Sequence, residues 1–177
     1  IPGKSGGTNF TRSLLVGHST TGTLNAADDN TGVGINSLVS LTSGDKNTTL
    51  GGGAGYAITS GAENTAVGRN ALRYVTTGTR NVAIGKDALS AGGGMATATE
   101  NTAIGTSALY VCTGNVNTAI GKAAGINITS GSGNVMIGEV NADSATGDRQ
   151  LKIAGNDGST TTTWISGDSS GNLTFPG

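Results

Sequence analysis

Asn64-Thr65-Ala66-Val67-Gly68-Arg69-Asn70-Ala71-Leu72 returns almost unchanged as Asn101-Thr102-Ala103-Ile104-Gly105-Thr106-Ser107-Ala108-Leu109. Working outward from this pair, an Asn followed three residues later by Val, Ile or Leu and then Gly opens seven copies. They start at Asn30, Asn47, Asn64, Asn81, Asn101, Asn117 and Asn134, with a degenerate eighth at Ser13. The spacings are 17, 17, 17, 17, 20, 16 and 17 residues, and Gly17, Gly34, Gly51, Gly68, Gly85, Gly105, Gly121 and Gly138 fall at one phase. A short fixed period is the signature of a solenoid, in which each repeat buries its apolar side only against its neighbours. The expectation is an all-β solenoid, a narrow β-roll of about eight 17-residue rungs stacked roughly 4.8 Å apart.

Read down the copies, each column acquires a role. Val16, Val33, Leu50, Val67, Ile84, Ile104, Ile120 and Ile137 are expected to form one buried apolar line within a short strand. Leu38, Leu72, Leu89 and Leu109 form a second line, and Leu41, Ile58, Val75, Cys112 and Ile128 a third. Where Gly55 and Gly125 interrupt the second, Tyr56 and Ile126 are expected to restore the bulk one residue later. Ser43-Gly44, Ser60-Gly61, Thr77-Gly78 and Ser130-Gly131 supply tight corners between two or three strands per rung. The opening Asn suits a turn or a side-chain ladder from rung to rung.

Composition agrees with a thin core. Gly, Thr, Ala, Asn and Ser fill 111 of 177 positions, whereas Leu, Ile, Val and Phe supply 34. That is too little bulky apolar volume for a compact globule of this length. Glycine follows no three-residue period and only two prolines occur, which excludes collagen. Ten basic and eleven acidic residues leave no polybasic footprint for nucleic acid. No apolar run is long enough to insert in a membrane. A column of small residues (Ala66, Ala83, Ala103, Ala119) offers a smooth face on which further chains could pack, and predicts a parallel homotrimer, elongated along the stack.

The division that follows is an irregular lead-in over 1–12, solenoid repeats over 13–140 and a small C-terminal β-meander or β-prism cap over 141–177. In that cap Leu151-Lys152-Ile153 and Thr160 to Ile165 read as strands, and Asn156-Asp157-Gly158 as a hairpin turn. Trp164 is expected to anchor its core. The chain opens without Met or a signal-peptide pattern, as expected of a segment of a longer protein.

The two quoted nonapeptides resemble the repeats of bacteriophage tail-fibre-like proteins, and are similar to the Ala-Ile-Gly repeats of trimeric autotransporter adhesin heads. The resemblance covers roughly residues 13–140, and Trp164-Ile165-Ser166-Gly167-Asp168 looks like phage structural-protein sequence. It implies a homotrimeric fibre exposed on a virion, serving as stalk and host attachment, with a cell-surface glycan or protein as partner. The second expectation is the head of a bacterial outer-surface adhesin; a tailspike glycan depolymerase is a distant third.

Residues able to carry chemistry are few. His18 is the only histidine, so one chain assembles neither a Ser-His-Asp triad nor a histidine-rich metal site. Cys112 falls in an apolar column and reads as core filler. Gly3-Lys4-Ser5 lacks the rest of a phosphate loop, and Gly51-Gly52-Gly53-Ala54-Gly55 lacks the helix of a dinucleotide fingerprint, so both read as corners. Glu63 and Glu100 lie two rungs apart, a separation of about 9.6 Å that an inverting glycosidase could use. Yet their column runs Asp29, Lys46, Glu63, Arg80, Glu100 with alternating sign, the pattern of a cross-rung charge ladder. No catalytic, cofactor-binding or metal-ligating residue is expected, and the chain reads as not an enzyme.

Overall fold

The computed structural model describes residues 3–5, 11–17, 24–93 and 96–176. Eight three-residue strands stack in parallel: β2 (Leu14–Val16), β3 (Thr31–Val33), β4 (Thr48–Leu50), β5 (Thr65–Val67), β6 (Val82–Ile84), β7 (Thr102–Ile104), β8 (Thr118–Ile120) and β9 (Val135–Ile137). Strand β1 (Gly3–Ser5) runs antiparallel to β2. At the other end β10 (Leu151–Asn156) pairs in parallel with β9, then antiparallel with β11 (Thr161–Gly167), which pairs with β12 (Leu173–Thr174). The fold is all-β, a β-solenoid of about eight turns without an α-helix among the described residues.

Each rung contains one strand where two or three were expected. The remainder of the loop is turns, many of them placing non-glycine residues in the left-handed region. Asn70 and Leu72 have φ of 59° and 56°, and Glu63 has 59°. Such a residue costs about 1 kcal/mol, and here its amide turns along the stack. Asn70 N donates to Gly52 O at 3.0 Å, Leu72 N to Ala88 O at 2.9 Å and Glu63 N to Asp45 O at 2.9 Å. Rung-to-rung bonding therefore continues around corners that no strand reaches.

A ladder of buried asparagines runs the length of the solenoid. Asn30, Asn47, Asn64, Asn81, Asn101, Asn117 and Asn134 are fully buried. Asn81 shows the pattern. Its backbone N–H and Nδ2 both donate to Asn64 Oδ1, at 3.0 and 2.9 Å, and Nδ2 also donates to Ala98 O at 2.8 Å. Its own Oδ1 accepts from Asn101 N at 3.0 Å and Asn101 Nδ2 at 3.2 Å. Ser13 Oγ begins the ladder by accepting from Asn30 N, and Gln150 ends it by donating to Asn134 Oδ1. Each amide is satisfied only because the rungs above and below are in register.

This ladder decides which side of the strand faces inward, and it corrects the expected core. Strand side chains alternate, so burying the Asn also buries the residue two positions on. The interior line is Leu15, Gly32, Thr49, Ala66, Ala83, Ala103, Ala119 and Met136. The Val/Ile column points out: Leu50, Ile84 and Ile120 are 52%, 39% and 40% exposed. The alanine column is thus the inner wall of the roll rather than a face for other chains. Leu38, Leu72, Leu89, Leu109, Leu41, Ile58, Val75, Cys112 and Ile128 pack against it as expected, all at 0% exposure.

Volume is balanced rung by rung. A Cβ on Gly55 would meet Ile58 Cδ1 at 3.0 Å and Thr49 Cγ2 at 3.0 Å; one on Gly125 would meet Ile128 Cδ1 at 3.0 Å and Met136 Cγ at 3.3 Å. The missing leucines are therefore replaced by Thr49, Met136 and the inward isoleucines. Tyr56 and Ile126, expected in that role, are only half-buried.

The glycine after each strand is required twice over. Gly85 has φ of 129°, and a Cβ there would lie 2.6 Å from the Gly105 carbonyl of the next rung. In the C-terminal strands, Trp164 lies over Gly155, whose added Cβ would sit 2.5 Å from Trp164 Cζ2. Trp164 is nevertheless 56% exposed, so it does not anchor an enclosed core.

Two substitutions test these constraints. Asn81→Ala removes four hydrogen bonds and leaves the Asn101 N–H and the Ala98 carbonyl without partners at about 1–3 kcal/mol each, and is expected to lose at least about 2 kcal/mol in chemical denaturation. Gly85→Ala combines backbone strain with a clash and is expected to lose more than Gly158→Ala. Gly158 has φ of 95° with nothing within 4 Å, so that change carries strain of only about 1–2 kcal/mol.

Candidate functional site

The outer surface of the solenoid offers three features: the sheet face, a charged edge and an aromatic corner. The sheet face carries the Val/Ile column flanked by a second outward column, Thr31, Thr48, Thr65, Val82, Thr102, Thr118 and Val135. Strand registry holds both columns in line, for example Thr65↔Val82 and Val67↔Ile84. The apolar stripe spans eight rungs, about 34 Å at strand spacing. Exposed at Leu50, Ile84 and Ile120 and half-buried at the other five positions, an apolar stripe of this length marks an interaction surface more often than a solvated one.

The charged edge contains the predicted column. Asp29, Lys46, Glu63, Arg80 and Glu100 all have φ between 55° and 60°, at equivalent positions. Arg80 Nε and Nη2 donate to Glu100 Oε1 at 2.9 and 2.6 Å. The 20-residue rung does not displace Glu100, because its extra residues form the turn at Ala91–Gly93 while β6 and β7 stay in register. Arg12 extends the column downward, with Nε and Nη2 donating to Asp29 Oδ1 and Oδ2 at 2.6 and 2.9 Å. Among the described residues, Lys46 and Glu63 form no ion pair within 4 Å. The ladder is thus direct at Arg12–Asp29 and Arg80–Glu100 and longer-ranged between them.

A neighbouring column was not singled out from the sequence. Asp28 Oδ1 accepts from Thr11 N, Asp45 Oδ1 from Asp28 N, Asn115 Oδ1 from Thr99 N, Ser132 Oγ from Asn115 N and Asp148 Oδ1 from Ser132 N, all at 2.8–3.0 Å. The signal was present: Asp, Asn, Ser or Thr stands two residues before nearly every rung-opening position.

Hydrogen bonds from the Thr11 hydroxyl and amide hold the Asp28 carboxyl below its ordinary 3.8, and the Arg12 guanidinium does the same for Asp29. Groups with lowered folded values stabilise fully above the unfolded value and lose that contribution as pH falls through the folded one. Acidification below about pH 4 is therefore expected to loosen the Thr11–Asp28 and Arg12–Asp29 contacts while the asparagine ladder holds. Faster hydrogen exchange at the Thr11 and Asp29 amides, with central amides still protected, checks this.

The remaining candidates separate clearly. His18 lies outside the described residues. Cys112 is buried; desolvation pushes its thiol up to about 11, and Asn117 Nδ2 sits 3.4 Å from its sulfur. Gly3-Lys4-Ser5 is strand β1, and Gly51, Gly53 and Gly55 are turn positions with φ of 136°, 70° and 60°. Glu100 is engaged by Arg80, and no group of three or more His, Cys, Asp or Glu among the described residues could hold a metal ion. Tyr56 and Tyr74 come together on adjacent rungs around Arg73, whose Cζ lies 5.5 and 5.1 Å from their ring centroids.

The chain matches no protein-family model, no curated protein and no solved structure.

Proposed function

We propose that this chain is a β-solenoid segment of a homotrimeric phage tail fibre, serving as stalk and taking part in host attachment. The observation carrying this reading is the apolar stripe from Val16 to Ile137, which one chain leaves on its surface while its interior is already full. Parallel chains related by rotation about the fibre axis would bury that stripe in a closed head-to-tail ring. The resemblance of the Asn-Thr-Ala-Ile-Gly rungs to tail-fibre repeats supplies the number three. The association face in this proposal is the Val/Ile sheet, replacing the alanine column now enclosed by the roll.

Residues 141–177 act in this reading as a cap that ends the stack. Trp164, Leu173 and Phe175 are 56%, 57% and 69% exposed, and equivalent side chains from sister chains would cover them. The solenoid is equally consistent with an adhesin head; a virion-attachment domain beside it in the gene favours the fibre, and a membrane anchor favours the adhesin.

Light scattering is expected to return a mass near three times the 17.2 kDa of one chain. The double variant Ile84→Asp/Ile120→Asp places carboxylates on the sheet face and is expected to give single chains that keep their β-structure. Ala83→Asp buries an unpaired charge inside the roll and is expected to cost several kcal/mol and unfold it. A wild-type chain that is monomeric and melts cooperatively overturns the trimer.

A further inference from the structure

All three tyrosines of the chain fall at one corner of the solenoid: Tyr56 and Tyr110, with Arg73, stand immediately after the Leu38/Leu72/Leu109 column, and Tyr74 one residue later. Tyr56 and Tyr74 flank Arg73 on neighbouring rungs, and Tyr110 follows two rungs beyond Tyr74. Tyr56 and Tyr110 are about 14 Å apart along the stack at strand spacing. The solenoid's one lengthened rung departs from its period at this same corner. Its extra turn at Ala91–Gly93 lies between the tyrosines, with Gly92 N donating to Tyr110 O at 2.8 Å and Ala96 N to Tyr74 O at 3.0 Å.

Arg73 stands apart from the arginines of the charged edge. It forms no ion pair with a described carboxylate. Its Nη1 has a long bond, 3.3 Å, to Asn70 Oδ1, while Nε is shielded from solvent and has no acceptor among the described residues. A guanidinium is a planar fork of five donors that matches a carboxylate. Stacked on aromatic rings, this one is held in place with most of that capacity unused. Tyr74 packs against the core and fixes the corner, while the half-buried Tyr56 and Tyr110 present ring surface with hydroxyl rims at small conformational cost. Backbone groups at the corner are paired from rung to rung, as in Ala57 N to Arg73 O at 2.9 Å, so no open strand edge invites an added peptide strand.

From this geometry we infer that the Tyr56–Arg73–Tyr74 corner binds an acidic saccharide, with Arg73 engaging the sugar carboxylate, Tyr56 supporting a ring beside it and Tyr110 supporting a ring farther along the same oligosaccharide. The inference rests on the attachment half of the proposed function and names its ligand class.

Isothermal titration of the whole chain with galacturonate and α2,8-sialate hexamers, against uncharged maltohexaose, tests it. At least one acidic hexamer is expected to bind about tenfold or more tighter than maltohexaose. Arg73→Lys, which keeps the charge and removes the fork, and Tyr56→Ala are each expected to weaken it by about tenfold. Arg69→Lys is expected to leave it unchanged. Isotope-filtered NOE spectroscopy on the unsubstituted chain with labelled aromatic residues, which no folding defect can confuse, is expected to place sugar protons against tyrosine rings. Acidic hexamers that bind no better than maltohexaose, binding indifferent to Arg73→Lys, or contacts confined to Trp164 each overturn the site. A trimer that binds none of the sugars removes this site alone and leaves the stalk standing.

Discussion

A primary amide placed in an apolar interior is costly unless both its protons and its oxygen find partners, and in this chain each buried Asn completes that set only through the rungs on either side. Asn64 Oδ1 takes two donors from Asn81, and Asn81 Oδ1 takes two from Asn101. One rung alone would bury an unsatisfied amide and would not be stable. Stacking turns that liability into a register device, because a slip by one residue would strand every amide in the line at once. The corner carbonyls Gly44, Gly61, Gly78, Ala98, Gly114 and Gly131 depend on the same side chains for a donor, so the ladder also fixes where each turn closes.

The size of the interior follows from the ladder. With Asn on one side of a three-residue strand, the inward residue between two outward ones must be small, and Ala66, Ala83, Ala103 and Ala119 are. Larger residues enter only where the opposite wall recedes, as Thr49 does beside Gly55 and Met136 beside Gly125. The roll is filled by complementarity within a rung and between adjacent rungs. The shortage of bulky apolar residues therefore reflects a narrow cross-section, and the Val/Ile residues the interior cannot hold are displaced to the outer sheet face.

That displacement separates scaffold from surface. Glycines, asparagines and inward alanines are committed to the stack, whereas the positions between them vary without disturbing it. Charges gather on one edge, β-branched residues on the sheet and tyrosines on a corner. The insertion at Ala91–Gly93 is absorbed at that corner while Arg80 and Glu100, across the rung, keep their pair. A solenoid can change one face without repacking another because each rung contacts only its neighbours.

The repeat period, the phase-locked glycines, the all-β solenoid class and the inward leucine columns were legible in the residues alone, since periodicity is a property of one dimension. Which side of the strand faces in was not. Hydrophobicity ranks Ile84 above Ala83 and Asn81, and that ranking points the wrong way here, because an amide becomes a favourable core residue only when identical amides stack above and below it. The single strand per rung was hidden for a related reason: left-handed residues such as Leu72 and Glu63 are unfavourable in isolation and are held by bonds to adjacent rungs. Arg12 as partner of Asp29, the Asp28/Asp45/Asn115 column and the gathering of Tyr56, Arg73 and Tyr74 likewise depend on which rungs stand next to each other. Sequence determined the repeating unit; the tertiary structure decided its inside and outside, because burial of the asparagines is a property of the stack and of no single rung.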